Sequence, residues 1–530
     1  MQGRRDSEMS SIKSPKSDDE KGVNADFGRG VVEDYPDVAD PLEDREIFKK
    51  THDGVDFRTV GWPRASVIFL KIIFATGVLS IPTAMYSLGA VGGSLSVIGW
   101  GLLNTYTAKI QGDFRNNHPG CHSIADMADV VGGVFIKELA GVLFLIAYIL
   151  CAGSGILGVS IGLNALSTHA ACTVWWSFLA TMVVCVAASV RKFHSIAWLT
   201  WVGFASVFIA VFIVVVAVTT LDRPAAAPQT GDYDLGYHVI AYPTFTAGMV
   251  ASATIFVSSA GTSAFLPVIS EMRQPRDFNK ALYACMIFVN AAYLSMSLVV
   301  YRWCGQWVAS PSLGSAGPVI KKVAYGIGLI GLVVSACLYL HVAAKYLFVR
   351  ILRNSKHLQQ NTIIHWTTWL GCTFGLGLLS FILAEAIPIF NYLLALTGSI
   401  CFAPLAIALP AWLWLYDHTE ARRGTIGMKV AYWGHASLIL LAAFLCVGGT
   451  YGVVESIIQA YADGQIVYFL KRIFWEAFPK PDDIWTEEIA FAGGTVGEFG
   501  DGNSAGVAVG VEGGDYALLG WERRVSGWVG

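Results

Sequence analysis

The sequence predicts an all-helical integral membrane protein with about eleven transmembrane helices. Of its 530 residues, 54% are hydrophobic and only 14% are charged, whereas soluble domains carry about 25% charged residues. Long apolar runs recur along the chain, and basic residues concentrate in alternate connections between them. A soluble protein of this length would need far more charge to cover its surface, so much of the chain must face lipid.

Three regions are predicted from the pattern along the chain. Residues 1–60 are rich in Asp, Glu, Ser and Lys without apolar periodicity, which indicates a disordered cytosolic tail and not a signal peptide. Residues 61–462 form the transmembrane domain, and residues 463–530 form an atypical tail, Gly-rich after residue 493, for which disorder is expected. The apolar runs are 65–88, 90–110, 136–166, 173–190, 196–220, 244–270, 280–302, 319–349, 363–384, 387–415 and 429–458.

Basic residues predict the orientation. With a cytosolic N-terminus, the inner connections hold most of the Lys and Arg residues of the membrane domain, as the positive-inside rule requires. The outer connections before the last run hold only four, namely Arg223, Arg302, Lys321 and Lys322. An odd number of spans then puts the C-terminus on the outer side.

Several classes of function are excluded by what the sequence lacks. The net charge of −3 and the absence of a basic stripe argue against nucleic-acid binding. The ten cysteines include no CxxC pair and no Cys/His ligand spacing, so neither a metal site nor a cofactor is expected. No nucleophile elbow, zinc-protease motif or Walker loop is present, which argues against an enzyme and against an ATP-driven pump.

Two of the apolar runs carry helix-breaking segments near their middle. The first run contains residues 76–82, with Gly77 and Pro82, and the sixth contains residues 258–267, with Gly261 and Pro267. Glycine frees the backbone and proline removes a donor, so both runs are predicted to be interrupted helices.

A broken helix inside a membrane exposes backbone N–H and C=O groups, which can bind an anionic group or a cation at midplane depth. The alternative is that the small residues only allow close helix packing. Spans one and six run in opposite directions under the predicted topology. Their matched breaks favour an inverted repeat of five plus five helices with a binding site between the halves.

Lys71 lies on the cytosolic side of the first break, inside the first run. An ionisable side chain at that depth is a candidate for ion coupling, with its ammonium at a cation position near the break. The alternative is that the long side chain extends to the cytosolic interface.

His341 and Glu271 are further candidates for coupling or gating. A histidine such as His341 could titrate in the physiological range and serve proton coupling, but a neutral histidine between helices is the preferred interpretation. Glu271 ends the sixth run on the cytosolic side and is a candidate for an inner gate, paired with a basic residue. The alternative is an exposed interfacial carboxylate.

The chain resembles the amino acid/auxin permease family, and more closely its fungal neutral amino acid permease branch. The resemblance lies in Gly61-Trp62-Pro63, Phe69-Leu70-Lys71-Ile72, Gly77-Val78-Leu79-Ser80-Ile81-Pro82, Asp113-Phe114, His118-Pro119, Ser123-Ile124-Ala125-Asp126, and Glu271-Met272 with Pro275. It covers residues 60–460 and does not extend to the tail beyond residue 463. It implies a LeuT-like fold, with five-plus-five inverted repeats and an eleventh helix.

The resemblance also implies the site and the activity. Substrate would contact Ala75, Thr76, Gly77, Val78, Leu79, Ser80, Ser258, Ser259, Ala260, Gly261 and Thr262. The expected activity is import of neutral amino acids by symport with an ion, by analogy a proton, through alternating access. A sensor on the same fold and a vacuolar exporter are the alternatives, and the plasma membrane is preferred to the vacuolar membrane by analogy.

Overall fold

The computed structural model describes residues 60–190, 193–353, 355–358, 360, 362–463, 495–498 and 507–510. The predicted N-terminal tail, up to residue 59, lies outside the described residues. Of the predicted C-terminal tail, the structure describes Asp463 and two short strands, β1 (Thr495–Glu498) and β2 (Val507–Gly510), which pair antiparallel.

The membrane domain is a bundle of α-helices joined by loops and turns. Its helices are α1 (Trp62–Ile73), α2 (Gly77–Asn117), α3 (Ile124–Ser167), α4 (Thr173–Ala188), α5 (Phe193–Thr219), α6 (Phe245–Ala260), α7 (Phe265–Glu271), α8 (Phe278–Cys304), α9 (Pro318–Leu352), α10 (Ile363–Ala386), α11 (Phe390–Leu396), α12 (Leu409–Asp417) and α13 (Ile426–Ala462). A π-helix, Thr397–Ala408, joins α11 to α12. Short 3-10 helices cover Gly261–Ala264, Pro275–Asp277, Gly305–Trp307, Ser312–Ala316, Lys356–Leu358 and Thr419–Arg423.

Eleven spans follow from these helices. Within the described part of the chain, nine helical segments are long and apolar enough to cross a membrane. One of them, α2, contains a kink at Gly89, where φ is 76°. Only glycine adopts this conformation without strain, so the first span ends there and the second begins. Adding the first span and the 16-residue α4 to the nine gives eleven, in agreement with the sequence.

The bundle has an apolar outer surface that suits contact with lipid and a closely packed interior. Large apolar side chains such as Leu95, Leu102 and Val134 point outward and are exposed. The core forms where α9 packs between α3 and α5, and where α2 packs along α6 and α8. The second and third spans therefore have one face against protein and one open to hydrocarbon.

Both predicted helix breaks are present. In the first span, α1 ends at Ile73 and α2 begins at Gly77, with a non-helical turn between them. In the sixth span, α6 ends at Ala260, a 3-10 turn covers Gly261–Ala264, and α7 continues from Phe265. The chain reverses direction with each span, so the two broken spans run antiparallel. The prediction of an all-helical membrane bundle with breaks in spans one and six is confirmed.

Candidate functional site

The two broken spans meet in the interior of the bundle. The Ser258 hydroxyl donates to the carbonyls of Thr254, at 2.8 Å, and of Gly77, at 3.4 Å. A Cβ atom on Gly77 would lie 2.7 Å from Cβ of Ser258, closer than real Cβ contacts allow. Position 77 therefore requires glycine because the backbones of the two spans touch there.

Three buried tyrosines from other spans bind the carbonyls that the breaks release. The hydroxyl of Tyr293 donates to the Ile73 carbonyl at 2.7 Å, and that of Tyr339 to the Ile72 carbonyl at 2.9 Å. On the sixth span, the Tyr148 hydroxyl donates to the Gly261 carbonyl at 3.0 Å. A buried carbonyl without a partner is costly, so these bonds stabilise the broken backbone away from water.

A cavity of about 20 Å³ lies between the two breaks, Tyr148 and Tyr339. That volume holds about one water molecule, so the site is closed tightly in this structure. None of its lining residues is Asp, Glu, Lys, Arg or His. The lining residues are Ile72, Ile73, Thr76, Gly77, Tyr148, Cys151, Val257, Ser258, Gly261, Tyr339, Leu394 and Phe402.

A larger vestibule of about 460 Å³ opens on the face of the bundle where α1 begins, here the N-terminal face. Phe144, Ser263, Pro267 and Val342 line it toward the interior. Tyr148, which lines the small cavity, shares a hydrogen bond of 3.1 Å with Ser263. One layer of side chains thus separates the cavity from the vestibule.

Ion pairs connect the helices at the N-terminal face. Glu271, at the end of α7, pairs with Lys345 of the eighth span, and both side chains are largely buried. Arg353 contacts Asp126 at 2.8 Å, beside the vestibule. Burial opposes ionisation of Asp126, but the Arg353 guanidinium and the Ser123 hydroxyl outweigh it and lower the pKa of this carboxyl. Glu271 has the basic partner that the sequence analysis expected of a gate residue.

His122 lies in the loop before α3 and is buried against the same network. Its Nδ1 shares a hydrogen bond of 3.1 Å with the hydroxyl of Ser270. Burial, reinforced by the charge of Lys345, lowers the pKa of His122 to about 4. Its imidazole is therefore neutral near pH 7.

Lys71 points into the bundle and is completely buried. Its ammonium donates to the Gly331 carbonyl at 2.9 Å and to the Ser335 hydroxyl at 2.7 Å, both on the eighth span. The side chain does not reach the interface. The ammonium of Lys71 therefore has two hydrogen-bond partners on the eighth span, and Lys71 lies three residues or fewer before the first break begins.

His341, on the eighth span, contacts the fourth and ninth spans. Its Nδ1 is 3.3 Å from the Ala188 carbonyl, and its ring contacts Trp369 edge-on at 5.4 Å. It does not line the central cavity. These contacts fit the interpretation of a neutral histidine that links helices.

The structure brings together only part of the predicted contact set. Thr76, Gly77, Ser258 and Gly261 line the cavity, whereas the predicted residues Ala75, Val78, Leu79, Ser80, Ser259, Ala260 and Thr262 do not. Ser259 instead accepts a hydrogen bond of 2.8 Å from Asn104. The Thr262 hydroxyl is buried and has no hydrogen-bond partner among the described residues.

The resemblance implies that spans three, eight and ten face the substrate side chain, but the sequence did not assign the residues that these spans contribute to the cavity. Tyr148 and Cys151 come from the third span, Tyr339 from the eighth, and Leu394 and Phe402 from the tenth. The tyrosines left a usable signal, because a tyrosine in the middle of a span needs a buried partner for its hydroxyl. The apolar residues left none, since they resemble any other core position.

Known proteins that are similar to this chain in sequence are described as transporters. Residues 58–455 match a family described as transmembrane amino acid transporter protein. A "Transmembrane transporter" of Gibberella moniliformis is 51% identical over 424 residues, which are 80% of this chain and 90% of that protein. An "N amino acid transport system protein" of Neurospora crassa is 27% identical over 463 residues, or 85% of this chain and 94% of that protein.

Among solved structures, the chain is similar to a Na⁺-coupled sialic acid symporter in a substrate-bound, outward-open state. The TM-score is 0.49 at 13% identity, with 79% of this chain and 94% of that chain covered.

Proposed function

The chain belongs to the transmembrane amino acid transporter family, and from that premise we propose that it moves neutral amino acids across a membrane by symport with protons. Members of this family are transporters and not enzymes. One observation carries the proposal: the cavity between the broken spans contains hydroxyls, backbone and apolar side chains, but no charged side chain among its lining residues. A cationic or anionic substrate side chain would lack a counter-charge there.

The two ends of a zwitterion have complementary groups at the breaks. The helix that begins at Gly77 offers its first N–H groups and the positive end of its dipole to a carboxylate. The helix that ends at Ala260 offers carbonyl oxygens and the negative end of its dipole to an ammonium group. The hydroxyls of Thr76 and Ser258, which also line the cavity, provide further hydrogen bonds to the carboxylate and the ammonium group. These groups bind any α-amino acid and leave selection of the side chain to the apolar wall.

That wall favours small and medium apolar side chains. Cys151, Val257, Leu394 and Phe402 are the apolar residues that line the cavity in addition to Ile72 and Ile73 of the first span. The cavity of about 20 Å³ is smaller than an amino acid, so binding requires the helices to separate. Movement of one group of helices against the other would open the site to each side in turn, which is the basis of alternating access.

Coupling to protons is proposed to use Lys71. Its buried ammonium takes the place of a free cation between the Gly331 carbonyl and the Ser335 hydroxyl. Loss of a proton from this group would weaken the link between the first and eighth spans, and its recovery would restore the link. The position next to the first break ties this change to the substrate site. Glu271, paired with Lys345, would contribute to closure of the inner side, and no coupling role is proposed for His341.

The site of action is proposed to be the plasma membrane, with the N-terminus in the cytosol. The basic residues of the membrane domain concentrate at the N-terminal face, and the vestibule opens on that face. The vestibule would then be the cytosolic exit of an importer.

Uptake by the purified protein in liposomes tests the function. A panel of radiolabelled amino acids, with neutral, acidic and basic side chains, is offered with and without an inward proton gradient. Accumulation of neutral members driven by the gradient is expected. If no member accumulates under a proton or sodium gradient, the symporter proposal is wrong. Accumulation driven only by sodium would show that the coupling ion is not a proton, while the proposal of amino acid transport would stand.

A further inference from the structure

We propose that Tyr148 is the inner gate of this transporter: its side chain closes the passage between the central cavity and the vestibule at the N-terminal face. This inference rests on the proposed function and assigns a moving part to that same site. The role is one of positioning, because the hydroxyl holds the sixth span closed against the third.

Tyr148 stands between two spaces that the fold keeps apart. Its completely buried ring lines the cavity of about 20 Å³. Phe144, one turn earlier on the same face of the third span, lines the vestibule of about 460 Å³, and the two rings lie 4.6 Å apart. On the sixth span, Gly261 lines the cavity and Ser263 lines the vestibule. The boundary between the two spaces therefore passes through the Tyr148 hydroxyl.

The Tyr148 hydroxyl makes its hydrogen bonds to the break of the sixth span. It lies 3.0 Å from the Gly261 carbonyl and 3.1 Å from the Ser263 hydroxyl, at the two ends of one turn. The Gly261 carbonyl begins this 3-10 turn and also accepts a hydrogen bond from the Tyr148 hydroxyl of the third span. Because one side chain serves both groups, movement of the turn away from the third span breaks both contacts at once.

The rest of the ring is held by aromatic packing that does not depend on the hydroxyl. Phe402 contacts the ring edge-on at 5.8 Å, and Tyr339 lies at 6.3 Å. Replacement by phenylalanine should therefore keep the ring in place and remove only the link to the sixth span. Loss of that link is expected to let the turn and the third span separate on the vestibule side.

The chain supplies its own reporter of gate opening. Cys151 lies one turn further along the third span and lines the cavity, on the far side of Tyr148 from the vestibule. A thiol reagent that enters from the N-terminal face can reach Cys151 only through the gate. Cys337 is completely buried in the eighth span and does not line the cavity, so it reports general loosening of the bundle.

The experiment measures modification of Cys151 in sealed vesicles without substrate. A small membrane-impermeant methanethiosulfonate is added to the side that exposes an N-terminal epitope, and residues 151 and 337 are quantified by peptide mass spectrometry. For Tyr148→Phe, modification at residue 151 should accelerate by about five- to thirty-fold, as expected for the loss of one or two hydrogen bonds. Modification at residue 337 should not change.

Two further variants sharpen the result. Ser263→Ala, which removes one of the two contacts, should accelerate modification by less. Tyr346→Phe is the matched control, because its hydroxyl contacts Arg350 in the vestibule wall and not the sixth span. If Tyr148→Phe leaves the modification rate of Cys151 unchanged, or raises that of Cys337 equally, the proposal that Tyr148 is the gate is wrong. Because labelling needs no substrate, failed uptake beside accelerated labelling would count against the proposed function alone.

Discussion

The ammonium of Lys71 on the first span lies 2.7 Å from the hydroxyl oxygen of Ser335 on the eighth span, in the closed interior of the bundle. The Gly331 carbonyl completes this position at 2.9 Å. A charged group is retained at such depth only where it has partners and, in membrane proteins, commonly where it has a function. The contact joins the helix that carries the first break to a span that also lines the cavity.

Replacement of Lys71 by methionine keeps the approximate length of the side chain and removes the ammonium group that carries the proton. For one proton per substrate, a gradient of one pH unit can drive about tenfold accumulation, since one unit corresponds to about 1.4 kcal/mol. In Lys71→Met, we expect this accumulation to disappear while exchange of labelled for unlabelled substrate continues. Lys322→Met is the control, because Lys322 contacts Thr168 at an exposed site. An unchanged response to the gradient would remove Lys71 from coupling.

Alanine at the two break glycines should have different effects. At Gly77 a Cβ meets Ser258 Cβ at 2.7 Å and the Tyr293 hydroxyl at 2.9 Å, so Gly77→Ala should separate the spans and abolish uptake. At Gly261 the nearest atom is Ile73 Cδ1 at 3.5 Å, an ordinary contact. Gly261→Ala should fold normally, whereas Gly261→Leu should fill the cavity and stop uptake.

Gly375→Ala, where no neighbour lies within 4 Å, is the control for these glycine variants. Initial uptake rates and surface expression of each variant are the measurements. Normal transport by Gly261→Leu would place the substrate elsewhere.

Phe402 is expected to limit the size of the substrate side chain. It lines the cavity and contacts Tyr148 edge-on, so Phe402→Ala removes part of the wall. The ratio of uptake rates for a large over a small neutral amino acid should rise by about tenfold, within the range that one pocket contact controls. Competition with unlabelled amino acids measures the ratio. Phe374→Ala, at an exposed position on α10, should leave it unchanged.

The pair of Glu271 and Lys345 should be coupled in a double-mutant cycle. Removal of one partner leaves a largely buried charge and should cost about 3–5 kcal/mol of stability. Glu271→Gln and Lys345→Met should each lower the thermal unfolding temperature in detergent, and the double variant should recover much of the loss. Additive losses would mean that the two residues do not act as a pair.

His122 should make the folded protein less stable in acid. Its pKa is lowered from 6.5 to about 4 in the folded state, so the unfolded chain binds the proton first as the pH falls. The stabilising effect of the neutral imidazole is complete above pH 6.5 and declines toward pH 4, by about 2 kcal/mol between pH 6.5 and pH 5. The charges around it come from Lys345, Asp126, Arg115 and Arg353.

His122→Gln should flatten this part of the dependence of unfolding temperature on pH. Since the imidazole is neutral near pH 7, the same variant should not change the response of uptake to a proton gradient. Equal slopes in the wild type and the variant between pH 6.5 and pH 5 would show that His122 does not titrate in this way.

The sequence by itself determined the class, the spans and the places where two of them break. These properties follow from composition, apolar run length and glycine and proline positions, all of which act over a few neighbouring residues. It also placed Lys71 as an ionisable side chain inside the first span and Glu271 as one at the cytosolic end of the sixth. For each of them it left two interpretations open.

Only the tertiary structure decided which groups meet. Lys71 reaches Ser335, 264 positions along the chain, and Tyr148 reaches Ser263, 115 positions along. Such partners depend on how the helices pack and rotate, which no local pattern specifies. The central cavity shows the same division. The breaks in spans one and six can be predicted from the sequence, but the wall residues come from three other spans. Buried polar groups must find partners, but the packing of the helices determines which ones they find.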